Sequence, residues 1–295
     1  MNSFSSKTAL RFMLPGRLLC TLAFFLLGAG SIQCQIPANV LTRVLFIQVG
    51  DVSGSGFTID VDGRQYIITA KHVVSKVRDG DSIGVRRLDG WTSVRVKVLR
   101  CDEPVDIAVL IPNKQVTLNF PLEPTGKGWQ LGQESYFLGF PFGELLSDVK
   151  FENADSRFSM PFIKMAVWSA SSPAGNGAVI FLDGHNNPGF SGGPIVFRAF
   201  DQPGYVMKVA GVISGYRPDF KYVLEPKKVG PNEDLHNIEP WRIVTIREEK
   251  FRLEDTKQMV DTNSGIVRGY AIESAVELVK RHPEGPIVAD GQPPL

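Results

Sequence analysis

The sequence predicts an all-β protein, and three observations carry that reading. Short apolar runs recur along the chain, separated by Gly, Pro and Asp. Val94, Val96 and Val98 alternate with Arg95 and Lys97, the two-residue period of a half-buried strand. Helical character is confined, after the leader, to residues 274–280. The 29 Gly and 20 Pro add turns, which favour short strands over long helices. Many strands at short spacing with almost no helix argue for barrels or sandwiches.

The elements follow in order. Lys7, Arg11 and Arg17 lead into a nearly all-apolar run over residues 18–30 that ends on small residues. This is the three-part layout of a secretory signal peptide. The run falls short of the about 20 residues that a membrane span needs. Cleavage is expected between Ser31 and Gln35, making residues 1–34 a signal peptide and the mature protein periplasmic or secreted. An uncleaved leader would instead serve as an N-terminal membrane anchor. Strands are expected over 40–49, 56–61, 65–69 and 94–98, and the continuous apolar run 107–111 reads as a buried strand. The Pro- and Gly-rich stretch 113–128 is the expected linker between a unit at 38–112 and a second at 129–283. In the second unit strands are expected over 135–140, 163–168, 178–182, 194–197 and 206–214. Residues 217–263 are charged and read as an insertion between two strands, ordered around 241–246. Residues 284–295 read as a Pro/Gly-rich tail.

Composition narrows the function. With 43% hydrophobic and 21% charged residues the chain is globular. Its 32 basic and 31 acidic residues leave a net charge of +1, which gives no reason to expect nucleic acid as a partner. Of three cysteines, Cys20 lies in the leader, and Cys34 with Cys101 cannot make a disulfide framework. Cys101 reads as a small buried apolar residue. No Cys/His cluster has metal-ligand spacing, so neither a metal nor a cofactor is expected.

Three local patterns carry chemistry. In Ile67-Ile68-Thr69-Ala70-Lys71-His72-Val73-Val74 a strand runs into a turn with His72 at its end. Asp106 opens the buried run Asp106-Ile107-Ala108-Val109-Leu110. Ser191 stands among glycines in Asn187-Pro188-Gly189-Phe190-Ser191-Gly192-Gly193-Pro194, where the backbone can turn tightly and expose its amides. Singly, each has a bland explanation: a surface histidine, a loop-ending aspartate, a turn. Together they give His, then Asp, then Ser in strand and loop settings that suit a nucleophile, its base and the group that orients the base.

These motifs resemble the chymotrypsin-fold serine peptidases, and more closely the bacterial trypsin-like and HtrA (DegP-type) protease domains. Leu138-Gly139-Phe140-Pro141-Phe142-Gly143 is similar to an HtrA Gly-Asn-Pro-Phe-Gly element, and Gly265-Ile266 with Gly269-Tyr270-Ala271-Ile272 to the last strand before a C-terminal helix. The resemblance covers residues 40–283. It implies two antiparallel β-barrels packed together with a short C-terminal helix, and protein or peptide substrates; HtrA proteins also carry PDZ domains, which are not expected in the few residues after 283. It also implies a serine endopeptidase with His72, Asp106 and Ser191 as catalytic triad. The N–H groups of Gly189 and Ser191 would form the oxyanion hole. Ser214 would lie beside Asp106, and Ser214, Gly215 and Tyr216 would line the substrate groove. His185, six residues before Ser191, would sit at the base of the pocket for the side chain preceding the cut. Without a carboxylate there, small or medium apolar residues are expected over Arg or Lys, with Glu or Asp as the alternative where His185 is protonated. Phe190 departs from the pattern, since trypsins carry an Asp at that position and HtrA domains usually an Asn.

Two rivals stand beside this reading. Gly189-Phe190-Ser191-Gly192-Gly193 satisfies the G-x-S-x-G elbow of α/β-hydrolases, but that fold needs its catalytic His after the Ser and alternating helices. A protease-like fold can also serve as a catalytically inactive binding module.

Overall fold

The computed structural model describes residues 36–87, 90–143, 148–150, 157–200 and 206–289. The expected signal peptide lies outside the described residues. The first unit opens on a four-residue helix α1 (Ala38–Leu41), where a strand was expected, and continues as β1 (Val44–Val49). Then come β2 (Val52–Val61), β3 (Arg64–Thr69), β4 (Ser82–Arg87), β5 (Gly90–Arg100) and β6 (Ala108–Pro112). These six strands close into a barrel in the order β1-β2-β3-β6-β5-β4. β4 has no counterpart in the sequence reading. Its apolar positions are only Ile83 and Val85, and two arginines follow them.

The second unit comprises β7 (Glu123–Pro124), β8 (Glu134–Gly139), β9 (Asp148–Lys150), β10 (Arg157–Ser159), β11 (Phe162–Ala174), β12 (Gly177–Asp183) and β13 (Pro194–Ala199). It is completed by β14 (Val206–Lys228), β15 (Ile243–Ile246), β16 (Glu249–Ala271) and the helix α2 (Glu273–Arg281). Its sheet runs β15-β16-β12-β11-β8-β13-β14-β7, and a further β14–β16 pairing closes it, leaving β15 and β7 outside the closure. β16, β12, β11, β8, β13 and β14 thereby form a closed antiparallel ring. The expected two-barrel architecture with a short C-terminal helix is the one observed.

The apolar runs without alternation have a direct cause. Ile67, Ile47 and Leu110 fill the first barrel, while their neighbours Ile68, Phe46 and Val109 belong to a core shared with Leu138, Val196, Val212 and Tyr270 of the second unit. Strands buried on both faces have no polar face to show. Ile195 and Phe197 likewise fill the second barrel with Phe137 and Phe190, and Val196 between them joins the shared core. Cys101 is a free thiol packed at the edge of that core, and burial pushes its pKa up to about 11.

Two segments differ from the reading of the sequence. Residues 217–263 are an insertion built mostly of strand rather than loop, with residues 229–242 connecting the strands. They prolong β14 and β16 as an antiparallel hairpin from Pro218↔Asn263 to Lys228↔Phe251, with β15 alongside β16. Residues 284–289 return to the first barrel. The Gln65 N–H donates to Pro286 O at 3.0 Å and the Val288 N–H to Gly63 O at 2.9 Å. Among the described residues no helix is long and apolar enough to cross a membrane.

Candidate active site

His72 is placed by what surrounds it in sequence. β3 ends at Thr69, and the next residues close a tight turn in which Val73 N–H donates to Ala70 O and Val74 N–H to Lys71 O, both at 3.2 Å. Ala70, Val73 and Val74 are buried in the first barrel's core, so His72 is left at the surface, while Lys71 reaches the Cys101 carbonyl and Glu103. Val105 and Ile107 are buried on either side of Asp106 and aim it the same way. The His72 N–H donates to Asp106 Oδ1 at 3.2 Å, and His72 Nδ1 lies 2.7 Å from Asp106 Oδ2. Burial pushes the Asp106 pKa up. The hydrogen bonds from His72 and Ser214, with the His72 charge, outweigh it and hold the carboxyl below its ordinary range.

The Ser191 loop is held from three sides. Phe190 is fully buried, edge-on to Phe137 with centroids 5.0 Å apart and with Lys164 Nζ 5.5 Å from its ring centroid. From the first barrel, the Ser55 hydroxyl donates to Gly189 O at 2.7 Å and accepts the Phe140 N–H at 2.9 Å. The Ser55 N–H donates to Ser191 O at 2.9 Å. From the second barrel, Gly192 N–H donates to Ile213 O at 2.7 Å. Gly189 (φ +104°) and Gly192 (φ +86°) occupy left-handed conformations, and a Cβ on either would stand 2.3 Å from Phe140 O or 2.1 Å from Ser55 O. The loop's carbonyls are thus committed. The N–H groups of Gly189 and Ser191 have no acceptor among the described residues.

Ser214 links the parts. Its hydroxyl donates to Asp106 Oδ2 at 2.6 Å, and its carbonyl accepts the Ser191 hydroxyl at 3.1 Å. A continuous path runs from Ser191 through Ser214 and Asp106 to His72. Among the described residues no hydrogen bond joins Ser191 to His72, so the serine hydroxyl must leave the Ser214 carbonyl to reach the imidazole.

The expected pocket residues are distributed less simply. Gly215 and Tyr216 are half-buried on β14, and the Tyr216 hydroxyl donates to Asp261 Oδ2 at 3.1 Å. His185 is exposed, and its carbonyl accepts Lys164 Nζ at 2.7 Å. Lys164 also donates to Asn187 Oδ1, and burial lowers its pKa. The buried residue here is Asn186, 3% exposed. Its carbonyl accepts from Asn263 Nδ2, and its Oδ1 has no partner among the described residues. Ser55, Lys164, Asn186 and Asp261 were not singled out from the sequence. Only Ser55, between Gly54 and Gly56, left a local trace.

A closed six-stranded barrel, a second sheet closed by the β14–β16 pairing and a polar cluster between them define the architecture of a trypsin-like peptidase. Residues 54–200 match the family model described as a trypsin-like peptidase domain, and the chain carries that domain. Among solved structures the chain is similar to the Rv3671c protease in its inactive form, at 16% identity over 83% of this chain and 90% of that one, with a TM-score of 0.47. It is also similar to a serine-to-alanine mutant of Rv3671c from M. tuberculosis, at 20% identity over 61% of this chain and 78% of that one (TM-score 0.43). A third, an HtrA-type protease AlgW with a tripeptide, is 16% identical over 82% of this chain and 60% of that one (TM-score 0.45). No curated protein matches the chain.

Proposed function

We propose that the protein is a serine endopeptidase that hydrolyses peptide bonds through an acyl-enzyme on Ser191. The observation that carries this is the path Ser191–Ser214–Asp106–His72 beside two uncommitted amides, those of Gly189 and Ser191. Asp106 fixes the His72 tautomer by accepting from Nδ1, which leaves Nε2 as base. His72 takes the Ser191 proton as Oγ attacks the scissile carbonyl, and later gives it to the leaving amine. The two amides receive the oxyanion; one such donor is typically worth about 2.7–4 kcal/mol of barrier. The edge at Ser214, Gly215 and Tyr216 receives the substrate backbone as a short added strand. The leader's charge and apolar run support export, and N-terminal sequencing of the mature protein tests it.

The Ser191 hydroxyl resting on the Ser214 carbonyl favours a second reading, an inactive protease-like binding module. A fluorophosphonate probe separates the two. An active enzyme is labelled at Ser191, and Ser191→Ala abolishes both labelling and peptide hydrolysis, with a loss in kcat of about 10³ or more. A folded wild-type protein that stays unlabelled supports the binding module.

A further inference from the structure

The strand that carries Ser214 has one edge occupied throughout and the other free from the nucleophile outward. β13 pairs with β14 as far as Val212. Ile213 still exchanges hydrogen bonds with Gly192 and Gly193, at 2.7 and 2.8 Å. From Ser214 to Lys228 no strand among the described residues pairs with that edge, while β16 holds the opposite one to Lys228↔Phe251. The free edge thus starts at the residue whose carbonyl accepts the Ser191 hydroxyl and continues well past Tyr216. A lone edge of this length is ordinarily a pairing hazard.

Its side chains say what would pair there. Phe220 and Tyr222 share one face with Met259, the cross-strand partner of Tyr222, and the three are 57%, 56% and 52% exposed. Asp261, opposite Phe220 on that face, accepts the Tyr216 hydroxyl, so the apolar face adjoins the substrate groove. Pro218 and Pro226 offer no N–H. They bracket residues 219–225, which keep their amides.

We infer that residues 219–225 form a second binding segment for the substrate chain preceding the cut, received as an antiparallel strand with apolar side chains at alternate positions. This rests on the peptidase reading. Continuity with the proposed groove selects the occupant: a peptide whose cut lies at Ser191 and whose preceding residues lie along Ser214–Tyr216 can run only outward along this edge. At one substrate residue per edge residue, the first segment takes about three residues. After the break at Pro218, the second engages from about the sixth onward.

The test is a peptide series cleaved by the full chain. All members share the same residues around the cut and are extended toward the N-terminus by three, six and nine residues of alternating Val and Ser. A parallel set is extended toward the C-terminus. The expected result is a rise in kcat/KM of about tenfold between the three- and nine-residue N-terminal extensions, equivalent to about 1.4 kcal/mol. The C-terminal set should stay flat, and backbone N-methylation within the outer extension should erase the rise. Tyr222→Glu and Phe220→Glu should each lower the ratio of long- to short-peptide kcat/KM, a readout in which any general loss of activity cancels. Cleavage of every peptide at one rate overturns the inference and leaves the peptidase reading standing. Failure to cleave any peptide overturns the peptidase reading and this inference with it. A dimer seen by sedimentation that Tyr222→Glu dissociates, with no length dependence, assigns the edge to a second copy of the chain and also overturns it.

Discussion

Phe190 holds the Ser191 loop by apolar contact where a trypsin has a carboxylate. Its ring is fully buried against Phe137 and beneath Lys164. Phe190→Ala should cost about 3–5 kcal/mol of stability by the usual loss for a buried aromatic, measurable by urea denaturation. It should also lower kcat more than it raises KM, because the amides of Gly189 and Ser191 lose their fixed direction. Asp106 gives a prediction in pH. Its folded pKa is depressed, so its contribution to stability is present above the unfolded carboxylate value of about 3.9 and is lost as pH falls through the lower folded value. The stability difference between wild type and Asp106→Asn should therefore be largest near neutrality and shrink below pH of about 4. At neutral pH, Asp106→Asn should cost kcat about four orders of magnitude, the size seen when the base is held in the wrong tautomer. Equal acid sensitivity of the two proteins would show that the carboxylate's three hydrogen bonds do not stabilise the fold.

The turn over residues 189–193 sits between the barrels with no spare volume. Gly192→Ala would bring a Cβ to 2.1 Å from the Ser55 carbonyl, at a φ that side chains rarely adopt. Since backbone cannot yield there cheaply, the variant should be inactive and show a lowered Tm. Normal activity would mean that the turn is free to move. At this scale the sequence was legible where a pattern is local. His72 and Asp106 adjoin apolar runs whose burial aims them, and Ser191 stands in a glycine-rich turn; all three patterns are visible in the chain. Ser214 was legible only through a family likeness. Lys164, Asn186 and Asp261 were not, because each acts through a partner brought close by a separate strand. The Lys164–His185 contact, 21 positions apart, leaves no periodicity to read. Residues 217–263 misled for another reason. Exposed on both faces, the hairpin keeps its charges, and a charged stretch reads as loop even when its backbone is fully laddered on one edge.

The two barrels meet along a shared apolar core, with the polar cluster at its rim. Asp106 and His72 come from the first barrel, Ser191 and Ser214 from the second. Both Ser214–Asp106 and Ser55–Gly189 cross the seam, so the site exists only when the barrels are docked. The chain's last described residues tighten the first barrel: Gly285 O accepts from Arg64 Nη1 at 2.6 Å, and Ala289 N–H donates to Gln115 Oε1 at 3.0 Å. Ending the chain after Pro283 removes these and the bonds of residues 286 and 288. At about 0.5–1.5 kcal/mol for each of the four, the expected loss is about 2–6 kcal/mol in urea denaturation, and an unchanged midpoint would show the tail to be ornamental.

That return of the tail also sets an order in time. Arg64 and Gly285 lie 221 positions apart, so the first barrel, synthesised early, waits for nearly the whole chain to emerge before its cover arrives. Contacts of such separation form late and slowly. A nascent chain would hold its His72 and Asp106 in a half-finished barrel while Ser191 is still to come. The path from Ser191 through Ser214 and Asp106 to His72, which crosses the seam between the barrels, is therefore assembled only after the second barrel has followed the first.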